Sequence, residues 1–131
     1  MKQNLNNIIN SVDYYPHQLN TNRTDDDEIC ILVFANCHNK YPLEKLGSKD
    51  LKAFIEFCKK IEKMTWKQIK LDEGLNYETP KHFNVSMPDL FPKDATAVSL
   101  RASKKFRIIG WRETKYLNLM WFDRNHESYP G

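Results

Sequence analysis

Arginine, histidine and tyrosine side chains in the last third of this chain could bind a phosphate and transfer protons. Arg101 and Arg107 flank residues 102–104, a segment of hairpin-turn length, so a hairpin would bring both guanidinium groups to one surface. Guanidinium groups bind phosphate through several N–H donors at once. His126 and Tyr129 follow, and imidazole is the side chain that titrates nearest neutral pH. These residue types together predict a phosphate site with acid–base chemistry.

Further basic residues surround the same elements and are candidates for contacts with a nucleic-acid backbone: Lys104, Lys105, Arg112 and Arg124. The whole chain carries a formal charge of only +3. Residues 93–131, however, hold eight basic and four acidic side chains, and residues 48–70 hold seven and three. Such clustering is typical of a polyanion-binding surface. For residues 48–70 alone, a solvated lysine-rich helix face is the preferred interpretation.

Each of these residues also has a possible structural role, and the sequence alone does not decide between the structural and the functional interpretation. Arg107 could pair with a carboxylate on the sheet surface, and Asp123 could cap the turn after the last strand. Trp111 and Trp121 fit a hydrophobic core better than a stacking platform for bases. An isolated histidine such as His126 is, without its context, more often a surface residue than a catalyst.

The cysteine pattern indicates a reducing compartment, and the hydropathy pattern bears on membrane insertion and secretion. The three cysteines (Cys30, Cys37 and Cys58) are odd in number and form no C-x-x-C motif. No Cys/His set has zinc-binding spacing, so we expect neither a metal nor another cofactor. No apolar run is long enough to cross a bilayer, and the N-terminus lacks the apolar region of a signal peptide. The prediction is a cytoplasmic protein without a membrane partner.

The length of 131 residues and the aromatic content of 12% predict one folded domain spanning 1–131. Residues 1–28 are polar and end in an acidic run. A flexible segment and a short helix over residues 3–12 are the two interpretations left open there. Residues 29–35 are apolar and β-branched and predict a buried strand.

Two helices are predicted in the middle of the chain. Residues 49–63, with Ser48 as N-cap, repeat apolar side chains with a period of 3.6, and the predicted buried stripe is Leu51, Phe54, Ile55, Cys58 and Ile61. Thr65 and Gln68 have the spacing of a capping box, which predicts a short second helix over residues 66–72.

The C-terminal part predicts an antiparallel β meander with strands over residues 96–101, 105–112 and 116–122, joined by hairpin-length turns. Residues 82–86 could add a short strand. Helices followed by a meander predict an α+β fold, with the amphipathic helix and the shorter helix packed on the sheet.

The order of these C-terminal features resembles the RelE/YoeB-type bacterial toxins. An arginine before a turn, an arginine after it, two apolar strands and a terminal His–Tyr element match Arg101, Arg107, His126 and, with a displacement, Tyr129. The resemblance implies a small basic endoribonuclease that cleaves messenger RNA, in many cases bound to the ribosome, and that a cognate antitoxin protein holds inactive. Lys104 and Lys105 stand where the family carries basic residues near the turn.

Two functional hypotheses follow. In the first, the protein is a metal-independent endoribonuclease in which His126, Arg107, Arg101 and Tyr129 are the catalytic residues. In the second, it is a non-enzymatic accessory factor of a phage or mobile element that binds nucleic acid or another protein. Geometry discriminates between them: catalysis requires His126 on the same side of the sheet as both arginines, with Arg107 free of a structural ion pair.

Overall fold

The computed structural model describes residues 24–131 and shows an α+β fold, as the sequence predicted. In chain order the elements are β1 (Ile31–Val33), α1 (Ser48–Ile61), α2 (Trp66–Leu71), β2 (Ala97–Arg101), β3 (Arg107–Glu113) and β4 (Tyr116–Asp123). Two short 3-10 turns, Asp25–Asp27 and Leu43–Lys45, precede β1 and α1. Within residues 24–131, no helix is long and apolar enough to span a bilayer.

The sheet has the strand order β1-β4-β3-β2 and is mixed. The meander of β2, β3 and β4 is antiparallel, as predicted, but β1 pairs with β4 in parallel. The strand predicted over residues 29–35 contains only the three residues of β1, because the chain around Ile29 pairs instead with Thr65, at the start of α2. The predicted burial is also wrong, because β1 lies at an edge of the sheet and Ile31 is 42% exposed.

Both faces of the meander are covered. Leu100, Ile108 and Phe122 face the helices and belong to one buried cluster, whereas Ile109 and Trp121 belong to a second cluster on the opposite face. Apolar side chains from irregular segments pack on this second cluster: Tyr41, Phe83, Val85, Met87, Phe91 and Ala95. The short strand considered for residues 82–86 does not form, because this stretch is part of the irregular segments that cover the second cluster.

Helix α1 presents a different face from the predicted one. Its buried residues are Phe54, Phe57 and Ile61, while Leu51 is 43% and Ile55 is 46% exposed. The apolar residues of α1 cover more than one side of the helix. Their period of 3.6 predicts a helix, but it does not predict which of these residues contact the sheet. The N-cap also differs, since Gly47 and not Ser48 occupies that position.

Truncation of Phe54 should therefore destabilise the protein far more than truncation of Leu51. The Phe54 ring lies at edge-to-face distances of 6.1 Å from Phe34 and 5.2 Å from Phe122. We expect Phe54→Ala to lower the free energy of unfolding by about 3–5 kcal/mol. For the exposed Leu51→Ala we expect a loss of less than about 1 kcal/mol. Urea denaturation of both variants checks this, and equal losses would contradict the observed orientation of α1.

Helix α2 begins at the predicted capping box. The Thr65 hydroxyl accepts from the Gln68 N–H at 3.2 Å, and the Gln68 side chain accepts from the Thr65 N–H at 2.9 Å. Residues 24–28, which the sequence assigned to the polar N-terminal segment, are tied to this region, because Lys70 contacts Asp26 at 3.0 Å. The helix considered for residues 3–12 lies outside the described residues.

Candidate phosphate-binding site at the end of the sheet

Three charged residues form a row across the end of the meander. Arg107 at the start of β3 is paired with Arg101 at the end of β2 and with Asp123 at the end of β4. Directly opposed residues of antiparallel strands project from the same face. Because Ile109, two residues from Arg107, belongs to the second cluster, this row lies on the face away from the helices.

Arg107 is only 4% exposed and is held by main-chain carbonyl groups. Its Nη1 donates to the carbonyl oxygens of Ser103 and Lys104 at 3.1 Å each, which fastens the β2–β3 turn. The described residues show no carboxylate within ion-pair distance of this guanidinium. Asp123, its neighbour in the ladder, is engaged elsewhere, so the positive charge of Arg107 has no carboxylate contact in this part of the chain.

Asp123 instead organises the turn that follows β4. Its carboxylate accepts from the main-chain N–H of Glu127 at 3.0 Å, and from the N–H and hydroxyl of Ser128 at 2.8 Å and 2.5 Å. The capping role weighed for Asp123 from the sequence is thus confirmed. This turn places His126 at φ 53°, a left-handed conformation in which histidine is among the enriched non-glycine residues.

The turn brings His126 and Tyr129 together over the sheet. The two ring centroids are 4.5 Å apart, and Tyr129 belongs to the second cluster with Ile109 and Trp121. The Tyr129 hydroxyl lies 2.8 Å from the hydroxyl of Ser99, which is two residues before Arg101 on the same face of β2. His126, Tyr129, Arg101 and Arg107 therefore share one face and one end of the sheet.

Unpartnered nitrogen atoms mark this end of the sheet. Across residues 24–131, the buried side-chain nitrogen or oxygen atoms without a hydrogen-bond partner are Arg101 Nε, Arg107 Nε and His126 Nε2. Buried polar atoms in proteins are nearly always hydrogen-bonded, so three exceptions in one region point to a missing acceptor. Guanidinium Nε is always a donor, and an imidazole Nε2 can be one. An anion supplies the hydrogen-bond acceptors that these nitrogen atoms lack.

Gly131 limits access to the histidine. A Cβ atom added to Gly131 would lie 2.6 Å from His126 Cε1 and 3.0 Å from Nε2, so the Gly131 main chain lies directly against the imidazole. Because His126 Nε2 is buried beside Gly131, an anion reaches it only after a local movement of the surrounding groups. An open groove lies beside it, lined by residues that include Glu78, His82 and Tyr129.

Tyr129 is a hydrogen-bond donor at neutral pH. Its hydroxyl donates to Glu78 Oε1 at 2.6 Å, which leaves the Ser99 hydroxyl as donor in the second hydrogen bond. Burial, together with the bond to Glu78, raises the pKa of Tyr129 to about 12, and the nearby charge of Arg107 acts in the opposite direction. The phenol can therefore donate a proton or a hydrogen bond, but it is not a base near pH 7.

The raised pKa of Tyr129 predicts how the stability of the protein depends on pH in the alkaline range. The pKa of an unfolded tyrosine is about 10. The protonated phenol of Tyr129 therefore contributes fully to the free energy of unfolding below pH 10, and this contribution is lost as the pH rises towards 12. The pKa values of Tyr129 in the folded and unfolded protein differ by about two units, which corresponds to an upper bound of about 2–3 kcal/mol on its contribution to the free energy of unfolding. Tyr129→Phe should abolish this share of the alkaline loss of stability, measured by urea denaturation from pH 8 to 12. The exposed Tyr116→Phe is the control, and an unchanged pH profile in Tyr129→Phe would contradict the assignment.

The predicted nucleic-acid contacts divide into two groups. Lys104 and Lys105 are exposed on the β2–β3 turn, and Arg124 is exposed directly after β4, so these three lie at the same end of the sheet as Arg101. Arg112 lies towards the other end of β3. Its guanidinium contacts Asp26 at 2.7 Å and the ring of Trp66 at 4.2 Å, and the structure gives it a packing role.

Two members of the site were missed from the sequence. Glu78 and Ser99 hold the Tyr129 hydroxyl, and their main chains also exchange hydrogen bonds of 3.0 Å and 2.8 Å. Ser99 is a polar residue inside the otherwise apolar strand β2 and is fully buried. A hydroxyl at a predicted core position needs a hydrogen-bond partner, and this was the feature of the sequence that could have indicated its role. Glu78 lies in an irregular segment and gave no signal.

The described residues contain no group of three or more His, Cys, Asp or Glu side chains that could hold a metal ion. Cys30 is 2% exposed, and burial raises the pKa of its thiol to about 12.

Comparison with known proteins gives no independent guide: no family model, no curated protein and no solved structure matches the chain.

Proposed function

We propose that this protein is an endoribonuclease that cleaves messenger RNA through attack of a ribose 2′-hydroxyl on the neighbouring phosphate. The observation that carries the proposal is the set of three unpartnered buried nitrogens on Arg101, Arg107 and His126. Two guanidinium groups and an imidazole on one face and at one end of the sheet fit a reaction in which a phosphodiester gains charge while two protons move.

Each residue of the candidate site has a separate role in the proposed reaction. Arg101 and Arg107 bind the non-bridging phosphate oxygens and stabilise the charge that grows on them in the transition state. His126 transfers a proton, as the base for the 2′-hydroxyl or as the acid for the departing 5′-oxygen. The Tyr129 ring packs against the imidazole at a centroid distance of 4.5 Å and holds it in position, while the Tyr129 hydroxyl is anchored by its bond to Glu78. The bond between phosphorus and the 5′-oxygen breaks, leaving a 2′,3′-cyclic phosphate and a 5′-hydroxyl.

The wider context of the reaction rests on the resemblance to RelE/YoeB-type toxins. RNA bound to the ribosome is the proposed substrate, and a cognate antitoxin is the proposed inhibitor. Lys104, Lys105 and Arg124 surround the site with exposed positive charge. Such charge suits the sugar–phosphate backbone on either side of the cleaved bond.

Binding to single-stranded RNA should depend strongly on salt. If about four basic residues contact phosphates, log K should fall against log salt with a slope of roughly −3 to −4. Lys105→Ala should reduce that slope by about 0.7–0.9, the contribution of one contact. Lys67→Ala, an exposed lysine of α2 on the other side of the molecule, is the matched control and should leave the slope unchanged. A slope near zero for the unmodified protein would remove the nucleic-acid proposal.

The second candidate function is a non-enzymatic binding factor for nucleic acid or protein. It is favoured by the burial of Arg107 and Tyr129, whose hydrogen bonds within the protein give both a structural role. Such a factor needs the basic surface but not the imidazole. RNA binding without RNA cleavage, unchanged in His126→Asn, would establish this second function in place of the first.

A further inference from the structure

A groove beside the phosphate site has no part in the proposed reaction. It has a volume of about 430 Å³ and is lined by residues that include Glu78, Pro80, Tyr129 and Pro130. Small-ligand pockets in proteins usually have volumes of about 300–1,000 Å³, so the groove is large enough for a small ligand. Among the described residues that line it, only Glu78 is acidic. We call it the Glu78 groove.

Tyr129 connects the Glu78 groove to the phosphate site. Its hydroxyl donates to Glu78 Oε1 at 2.6 Å and lies 2.8 Å from the Ser99 hydroxyl, and its ring lies against that of His126. Arg101 follows Ser99 by two residues on the same face of β2, a step of roughly 7 Å along a strand. One nucleotide is long enough to place its phosphate at Arg101 and its base at Glu78.

The Glu78 carboxylate keeps free hydrogen-bond acceptors. Its main chain is fixed beside β2, because Glu78 and Ser99 exchange main-chain hydrogen bonds of 3.0 Å and 2.8 Å. Oε1 accepts from Tyr129, whereas Oε2 has no hydrogen bond or ion pair within residues 24–131. Each carboxylate oxygen has two lone pairs, so Oε1 can accept a second hydrogen bond as well. The carboxylate therefore offers two adjacent acceptors and no donor.

This arrangement of acceptors matches one of the four RNA bases. Guanine carries two adjacent donors on its Watson–Crick edge, the N1–H and the N2 amino group. Adenine and cytosine each present a donor beside an acceptor, and uracil presents one N–H between two carbonyl oxygens. A carboxylate that faces adenine, cytosine or uracil leaves one of its oxygens against another acceptor. Proteins commonly recognise the unstacked bases of single-stranded RNA through this edge.

We propose that the Glu78 groove binds a guanine base next to the bound phosphate, with the Glu78 carboxylate accepting from N1–H and the N2 amino group. The inference rests on the proposed function, because it assigns a base preference to the same RNA site. Pro80 and the exposed Pro130 supply apolar ring surfaces for contact with the flat base. Lys81, in the same lining, opposes the negative charge of Glu78 and reduces its repulsion of RNA.

Calorimetric titration of the full chain with guanosine 3′,5′-bisphosphate and with adenosine 3′,5′-bisphosphate tests the proposal. Neither compound contains a phosphodiester, so the measurement does not depend on cleavage. Each carries a phosphate on both sides of its sugar, so the base can belong to either neighbour of the bound phosphate. The guanosine compound should bind about 5–150-fold more tightly, the usual discrimination of one bidentate base contact. Arg101→Ala should weaken both affinities and keep their ratio, because both compounds share the phosphate contact.

Glu78→Gln is the decisive variant. Its amide oxygen still accepts from the Tyr129 hydroxyl, but its amide N–H₂ group faces the donors of guanine where the carboxylate offered an acceptor. The preference for the guanosine compound should therefore be abolished. Glu56→Gln, exposed on α1, is the matched control and should keep the preference. If Glu78 only positions Tyr129, the affinities for both compounds will fall in parallel, and an unchanged ratio in Glu78→Gln overturns the proposal.

RNA cleavage separates the failure of this inference from the failure of the proposed function. Guanine should flank the cleavage sites of the unmodified protein, and Glu78→Gln should cleave RNA without that preference. Equal affinities for the two bisphosphates, no binding of either, or RNA cleavage without a guanine preference would overturn the inference, and RNA cleavage in any of these cases would leave the proposed function standing. Guanine-selective binding by a protein that cleaves no RNA would support the assigned groove and remove the proposed function.

Discussion

Replacement of His126 by asparagine is expected to slow RNA cleavage by about 10²–10⁴-fold, the usual effect of removing a general acid or base. Asparagine tolerates the left-handed conformation at φ 53°, so it should keep the turn that alanine would disfavour. The amide cannot exchange a proton near neutral pH, so the loss should appear in the cleavage rate and not in RNA binding. Single-turnover cleavage of a messenger RNA in a translating bacterial extract measures it.

Two further variants make this result specific. His82→Asn changes an exposed histidine beside the groove near Tyr129 and should cleave RNA at the unmodified rate. Arg101→Ala should lose a factor comparable to that of His126→Asn, and the double variant should be little worse than either, because members of one catalytic unit are not additive. A folded His126→Asn protein with full activity would refute the assigned mechanism.

The largest expected effect on stability is at Gly110. The register between β3 and β4 shifts between Ile109 and Gly110, where Ile109 is paired with Trp121 and Gly110 with Leu119. A Cβ atom on Gly110 would meet the Asn118 carbonyl oxygen at 1.8 Å, a main-chain atom that cannot move aside without breaking the ladder. We expect Gly110→Ala to lower the free energy of unfolding by more than about 4 kcal/mol, in the exceptional range for a point mutation.

Gly47→Ala is the control for this prediction. Its added Cβ would have no neighbour within 4 Å, although the residue is the N-cap of α1. Alanine is a weaker N-cap than glycine, so a loss of about 1 kcal/mol or less is expected. Thermal unfolding monitored by circular dichroism compares the two variants. Similar melting temperatures for both would contradict the close approach of β3 and β4.

Local patterns were enough to predict much of the fold. The capping box at Thr65 and Gln68 places the start of α2, and the short turns join β2, β3 and β4 into a meander. The same hairpin geometry led to the expectation that Arg101 and Arg107 lie together, and they are directly paired. Each of these features depends on residues close in sequence, whose geometry is set by turn length and helix period.

Long-range packing explains what the sequence did not predict. The helical period in α1 could not decide that Phe57 is buried and Ile55 exposed, because the sheet selects the buried side. The parallel pairing of β1 with β4 joins strands separated by most of the chain. The contact between Glu78 and Tyr129 likewise arises only when an irregular segment folds across the second face of the sheet.

The most direct test of the central claim is a map of RNA 5′ ends after induced expression in a bacterial host. Attack by the 2′-hydroxyl produces a 5′-hydroxyl on each downstream fragment, so sequencing of RNA with ligated 5′-hydroxyl ends records the reaction itself. New ends within messenger RNA should appear with the unmodified protein and with His82→Asn, and should be absent with His126→Asn. The claim is contradicted if the unmodified protein produces no new ends, or if His126→Asn produces the same ones.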